Sequence, residues 1–395
     1  MKRIGNCWEK FIADETILRA ILEGTKNKRN KREVQFLLYS KEEIAKDPTK
    51  EGMIDPVKAM EYGEHIKSIL ENGEWEPKEP RYKRRFCTNR TANGGKWRDL
   101  YVPCLTDHII AHMAMIATEE AFLRGMHPHC CGSVPKRGIN YLRKTCERWF
   151  KSDKECRYYV KLDIRHFFDN IESERLIYML EKKIKCKKLL DIHKKIIRSG
   201  PVACPVGYYT SPWYANLYLQ DMDWFIDQQL YKERRGKRIK LVKHSIRYAD
   251  DILLMGTSKS DLRKSVKAIE KYLGGLGLEL KQTWEIKAIG VHDGMWKLKR
   301  GTYWCDIGGY RFCRDSTTIR PGIFVSASRL ARRMYKRGKY TYKQCQSMQA
   351  RMGWAVHADS YSFFMHYIYP YVNIKAIRRV ISDVDKERKR RRQSA

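Results

Sequence analysis

The run Ser245-Ile246-Arg247-Tyr248-Ala249-Asp250-Asp251-Ile252-Leu253-Leu254-Met255 sets two adjacent carboxylates inside an otherwise apolar, strand-prone segment, and nothing else in the chain is as restrictive. The apolar runs on either side read as the arms of a β-hairpin with the acidic pair at its turn. A further carboxylate, Asp163, ends a second run of the same kind, Tyr158-Tyr159-Val160-Lys161-Leu162. Two such strands side by side would put Asp163 and Asp250 around one pair of divalent ions. Hard cations held by oxygen ligands roughly 3.5–4 Å apart suit nucleotidyl transfer.

The surrounding segments resemble the reverse transcriptase family in order and spacing. Leu162-Asp163-Ile164-Arg165-His166-Phe167-Phe168-Asp169 is similar to its first catalytic motif and Tyr248-Ala249-Asp250-Asp251 to its metal-binding hairpin. Between them, Gly207-Tyr208-Tyr209-Thr210-Ser211-Pro212 resembles the turn into the template-positioning helix. Lys96-Trp97-Arg98-Asp99-Leu100-Tyr101-Val102-Pro103 resembles the fingers strand that holds the incoming triphosphate. Gly274-Gly275-Leu276-Gly277-Leu278-Glu279-Leu280-Lys281 and Asp306-Ile307-Gly308-Gly309-Tyr310-Arg311-Phe312 resemble the lysine-bearing palm segment and the primer-grip hairpin. Six weak matches in the right order make one strong resemblance, to bacterial and phage enzymes of the group II intron and retron type.

That resemblance implies an α+β fold, the right-hand polymerase of fingers, palm and thumb, with a helical N-terminal extension. The expected division is 1–75 for the extension, 76–155 for fingers and 156–313 for palm, with inserted helices at about 174–205. A helical thumb is expected over 314–385 and a basic flexible tail over 386–395. The activity implied is RNA-directed DNA synthesis with two Mg²⁺ ions, or Mn²⁺ in their place. Asp163 and Asp250 would bridge the ions, with the Ile164 carbonyl as a ligand and Asp251 as an auxiliary carboxylate. Arg98, assisted by Lys96, would pair with the triphosphate, as suits a guanidinium fork. Phe168 would lie beneath the sugar and exclude a 2′-hydroxyl. The proton for departing pyrophosphate would come from Lys281 or Lys287. Asp169 is expected to cap the helix that follows it.

Departures from the family pattern narrow the subgroup. Val206 precedes Gly207 where most bacterial members carry glutamine, which resembles the enzymes of diversity-generating retroelements; Ser211-Pro212 instead resembles the abortive-infection and defence-associated enzymes. The implied partners are a structured template or noncoding RNA, the cDNA product and deoxynucleoside triphosphates, with an accessory protein or a second copy left open. A reading of a different class is a polymerase fold that has lost catalysis and binds structured RNA as a scaffold.

Composition agrees with a polyphosphate partner. Lysine and arginine outnumber acids 80 to 46, a net charge of +34, and each neutralised phosphate releases counterions. The run Lys26-Asn27-Lys28-Arg29-Asn30-Lys31-Arg32 is either a solvated face or an RNA contact. No apolar run approaches the roughly 20 residues that cross a bilayer, so a cytoplasmic protein without membrane contact is expected. The 12 cysteines lack CxxC pairing and are expected as free thiols. His127-Pro128-His129-Cys130-Cys131 has metal-capable side chains but no second ligand pair at zinc spacing.

Overall fold

A computed structural model describes residues 3–91, 94–294 and 297–393; the side chains of 86–96, 388, 389 and 391–393 are outside that description. Helices α1 (Cys7–Ile12), α2 (Asp14–Thr25), α3 (Lys41–Lys46) and α4 (Pro56–Glu71) open the chain, and a long hairpin of β1 (Arg81–Thr91) and β2 (Gly94–Val102) follows. Next come α5 (Leu105–Leu123), α6 (Ile139–Ser152), β3 (Tyr158–Asp163), α7 (Ser173–Glu181), α8 (Lys187–Arg198), α9 (Ser211–Tyr218) and α10 (Gln220–Gln228). A small hairpin of β4 (Tyr231–Arg234) and β5 (Lys237–Lys240) precedes β6 (His244–Tyr248), β7 (Asp251–Gly256), α11 (Lys259–Gly275), β8 (Ile286–Ile289) and β9 (Thr302–Tyr303). Strands β10 (Cys305–Ile307), β11 (Tyr310–Phe312) and β12 (Thr317–Ile319) form a three-stranded sheet, and helices α12 (Pro321–Arg337), α13 (Tyr342–Ala355), α14 (Tyr361–Tyr367) and α15 (Ile374–Gln393) close the chain.

The central sheet has the order β6-β7-β3-β8-β9. Strands β3 and β7 are apolar on consecutive residues because both faces are covered there. Val160, Leu162, Ile252 and Leu254 pack into a core shared with the N-terminal helices, α5, α7 to α9 and α11. Their neighbours Tyr159, Leu253 and Met255 enter a second core with β10 to β12 and the C-terminal helices, contributed by Met334, Met348, Phe363 and Ile377. Each fully buried side chain of this size contributes about 1.5–3 kcal/mol, so the sheet is clamped from both sides. The result is the expected α+β fold.

Two local expectations are corrected. Residues 386–393 continue helix α15 rather than forming a flexible tail. Asp169 caps nothing: α7 begins at Ser173 with Glu172 before it, and the Asp169 carboxylate instead lies 3.7 Å from His166 Nδ1. None of the described helices is long and apolar enough to cross a membrane.

Candidate active site

Strands β3 and β7 are antiparallel and in register from Tyr158 opposite Gly256 to Asp163 opposite Asp251. Two carboxylates therefore face each other directly across a ladder, an arrangement that repels unless a cation intervenes. Asp250 sits beside them in the two-residue turn from β6, where Tyr248 pairs with Asp251 and Ala249 adopts a left-handed φ of 54°. Burial first, then the charges of Asp251 and Asp163, raise the Asp250 pKa, against the pull of its own amide and of Lys281. Lys161 Nζ lies 3.9 Å from Asp251 Oδ1.

Asp163 Oδ1 is buried and accepts no hydrogen bond, although the Lys281 ammonium stands 2.6 Å away as an ion-pair partner. That ammonium compensates the carboxylate where a divalent cation would otherwise do so, and a bound ion would take over part of its place at Asp163. The Ile164 carbonyl is also free of the adjoining ladder, because the flanking bonds run from Arg165 N to Glu279 O and from Lys281 N to Asp163 O. An all-oxygen donor set of Asp163, Asp250, Asp251 and this carbonyl fits hard divalent ions. Of the two candidate lysines, Lys281 is at the carboxylates. Lys287 lies opposite Tyr159, far along β3, and pairs with Glu285.

The turn is held by a residue that sequence reasoning passed over. Arg247, only 1% exposed, donates from Nε to Asp223 Oδ1 at 2.8 Å and from Nη2 to Asp223 Oδ2 at 2.7 Å. Its Nη1 reaches the Ala249 carbonyl and Asn216 Oδ1, both at 3.1 Å, and Nη2 reaches Cys130 Sγ at 3.2 Å. Asn216 in turn donates to the Gly132 carbonyl at 2.6 Å. The segment around Gly132 approaches so closely that a Cβ there would lie 2.6 Å from the Ala249 nitrogen. The detectable signal was an arginine inside an apolar strand, which has to be paired if buried. Cys130 serves this network and Cys131 packs in the second core, so the His127–Cys131 donors form no shared ligand set among the described residues.

The other expected site residues lie on the segment after β3, the loop before α9 and the hairpin of β1 and β2. Phe167 is buried while Phe168 is half-buried, their ring centroids 5.3 Å apart. The Val206 carbonyl accepts from Tyr101 N at 2.8 Å, and Gly207, at φ 120°, approaches so near that a Cβ would sit 2.3 Å from the Tyr101 oxygen. Arg98 is exposed and pairs across the hairpin with Arg85; the Lys96 side chain lies outside the described residues. By strand alternation Arg98 shares a face with Arg81, Lys83 and Arg85. Those three line a cleft of about 800 Å³ with Lys28, Lys31 and Arg32, so the basic run of the N-terminal segment adjoins the hairpin.

Residues 90–283 match the family model for reverse transcriptase (RNA-dependent DNA polymerase). The chain carries a reverse transcriptase domain. It is 27% identical over 209 residues to the group II intron-encoded protein LtrA of Lactococcus lactis subsp. cremoris, covering 50% of this chain and 34% of that one. It is 26% identical over 138 residues to the retron Ec73 reverse transcriptase of Escherichia coli, covering 33% and 42%. The chain thus spans about a third of the length of LtrA. Among solved structures, apo telomerase from Candida tropicalis has a TM-score of 0.43 at 11% identity, covering 66% of this chain and 60% of that one. Telomerase from Candida albicans with a fragment of telomeric RNA has 0.41 at 10%, covering 78% and 61%. The reverse transcriptase domain contains all three carboxylates, and the α+β fold around it is the right-hand polymerase fold.

Two outcomes follow from this geometry. A carboxyl whose folded pKa is raised contributes stability only while protonated, and this contribution is lost as pH rises through that pKa. Asp250→Asn is therefore expected to raise the melting temperature at neutral pH without divalent ions, and to remove most of the rise that Mg²⁺ gives the native chain; differential scanning fluorimetry reads both. Arg247→Met leaves Asp223 buried and unpaired, which costs about 3–5 kcal/mol in chemical denaturation. Pairing it with Asp223→Leu should recover most of that stability but not the activity, because the Ala249 carbonyl stays untethered.

Proposed function

We propose that the chain is an RNA-directed DNA polymerase that makes cDNA from a dedicated template RNA, in a diversity-generating retroelement or an antiphage defence system. The observation that carries this reading is the Asp163–Asp251 pair, two carboxylates set directly opposite each other across a strand ladder inside a reverse transcriptase domain. Divalent ions held by Asp163, Asp250, Asp251 and the Ile164 carbonyl would supply activation of a primer 3′-hydroxyl and neutralisation of the triphosphate. Lys281 would give a proton to departing pyrophosphate, a role supported by the nearness of its ammonium to Asp163. Arg98, on the basic face of the hairpin, and Lys96 would pair with the triphosphate oxygens. Phe168 would stack under the deoxyribose and exclude a 2′-hydroxyl. The cleft lined by Lys28, Lys31, Arg32, Arg81, Lys83 and Arg85 supports an RNA partner, because closely spaced cations recover free energy by displacing the counterions of a phosphodiester chain.

The scaffold alternative has one cheap discriminator. Purified protein given primer, template RNA, deoxynucleotides and Mg²⁺ should extend the primer, and Asp163→Asn should lower that rate by at least about a thousandfold while RNA affinity changes less than about twofold. Absent extension by the native chain, with RNA binding intact, would favour the scaffold. The subgroup is tested at Val206, whose apolar side chain precedes Gly207 and cannot hydrogen-bond a nascent base pair. Hydrogen-bonded sites reject wrong partners far better than apolar ones. Val206→Gln should lower misincorporation several-fold, most of all opposite template adenine, as read by sequencing cDNA; a low and even error spectrum in the native enzyme would favour the defence role.

A further inference from the structure

A second cluster of metal-capable side chains lies at the other end of β6 from the acidic turn, about 13 Å along the strand at ~3.3 Å per residue. Asp153, Cys156 and His244 present donor atoms that all lie within 4.8 Å of one another. His244 Nε2 is 2.7 Å from Asp153 Oδ2, and the Cys156 thiol donates to the same oxygen at 3.6 Å. The chain here is shaped as a ligand turn. Asp153 Oδ1 accepts from the amides of Glu155 at 3.1 Å and Cys156 at 3.3 Å, which leaves Oδ2 to face the other two donors. Arg314 grips the carbonyls of Asp153 and Cys156, and the His244 ring lies flat on Trp149 at 4.6 Å and 9°. Cys156 is fully buried, whereas Asp153 and His244 border an open cavity of about 670 Å³ that offers an entry path.

Zinc bonds of about 2.0–2.3 Å in a tetrahedron give ligand-to-ligand edges of about 3.3–3.7 Å. The sulfur–oxygen separation already meets that length, and the nitrogen–oxygen one needs to open by about half an ångström, a small side-chain rotation. Three cationic side chains face the cluster: Lys243, which is paired with Glu155 at 3.0 Å, Arg148, and Arg314, whose guanidinium is taken up by main-chain carbonyls. A sulfur, nitrogen and oxygen set suits a borderline-soft ion and not the hard ions expected at the acidic turn.

We propose that Asp153, Cys156 and His244 form a binding site for a zinc-class divalent cation, with a fourth position open to water. On binding, the Cys156 thiol gives its proton to solvent and His244 coordinates as neutral imidazole, with no change of oxidation state. Thiolate and carboxylate then balance the dication, and the bound ion ties the end of α6 and the approach to β3 to the start of β6. The inference is independent of the polymerase reading.

The test uses the purified full chain, loaded with Zn²⁺ or Co²⁺ and passed over a chelating resin. The native protein should keep about one equivalent of zinc, show one sulfur in its zinc X-ray absorption spectrum, and give a thiolate-to-metal charge-transfer band with Co²⁺. Cys156→Ser should lose the band and weaken zinc retention at least about tenfold, while Asp163→Asn keeps both. A native protein with no sulfur at its zinc overturns the proposal, whether or not Cys156→Ser folds. So does a band that survives Cys156→Ser and is lost in Cys313→Ser, which would place the ion at His292, Cys313 and Asp315 instead.

Discussion

The buried ion pair of Arg247 and Asp223 is the constraint on which the acidic turn depends. A guanidinium at 1% exposure is tolerable only because its donors are spoken for by Asp223, Asn216, Cys130 and the Ala249 carbonyl. The last of these bonds holds a non-glycine residue in the left-handed region, a conformation that needs support from outside the turn. Asp223 comes from α10, Asn216 from α9 and Cys130 from the segment before α6, so one side chain ties three other parts of the chain to the position of Asp250. A buried pair of this kind is weak evidence for net stability. Its effect is to fix one geometry where three carboxylates would otherwise push apart.

The electrostatic layout has two scales. Over the whole molecule the excess of cations attracts polyphosphate, yet the active site concentrates negative charge, with Lys281 and Lys161 paired to it among the described residues. A polyanion is thus drawn to the surface by the long-range field but repelled at the carboxylates unless divalent ions come with it. That local repulsion is also what raises the Asp250 pKa once burial has removed water.

How much of this was legible in the sequence depended on the range of the interaction. The acidic pair in an apolar run, its turn and its meeting with Asp163 could be read because strand period and turn chemistry act over a few residues, and the register of β3 on β7 bears the pairing out. The paired burial of Ile252 and Leu253 on opposite faces was implicit in an unbroken apolar run. Other features turn on contacts between distant segments. Lys281 could be separated from Lys287 only by the ladder that sets Lys281 N against the Asp163 carbonyl. Nothing in the sequence distinguishes Gly132 from other loop glycines, because its constraint is the Ala249 nitrogen that the fold brings against it. The charged tail gave the opposite error: its composition suggested a flexible segment, but Ile374 begins a helix that carries the basic residues along with it.

The approach of β2 to the turn before α9 ties the basic hairpin to the loop that carries Val206 and Gly207. Tyr101 N donates to the Val206 carbonyl, and Gly207 is pressed against Tyr101 so closely that any side chain would force the two apart. The same loop is anchored at its far end, where Ser211 Oγ donates to the Pro205 carbonyl and Pro212 occupies the first turn of α9. Displacing the hairpin that bears Arg98 must therefore move Val206 or break this bond. Whatever binds against the hairpin is in mechanical contact with the residue beside the nascent base pair on the proposed function. A glycine at 207 is required by that closeness alone, since both its φ of 120° and the adjoining oxygen exclude a Cβ, whereas position 206 is free to vary because only its main chain makes the link.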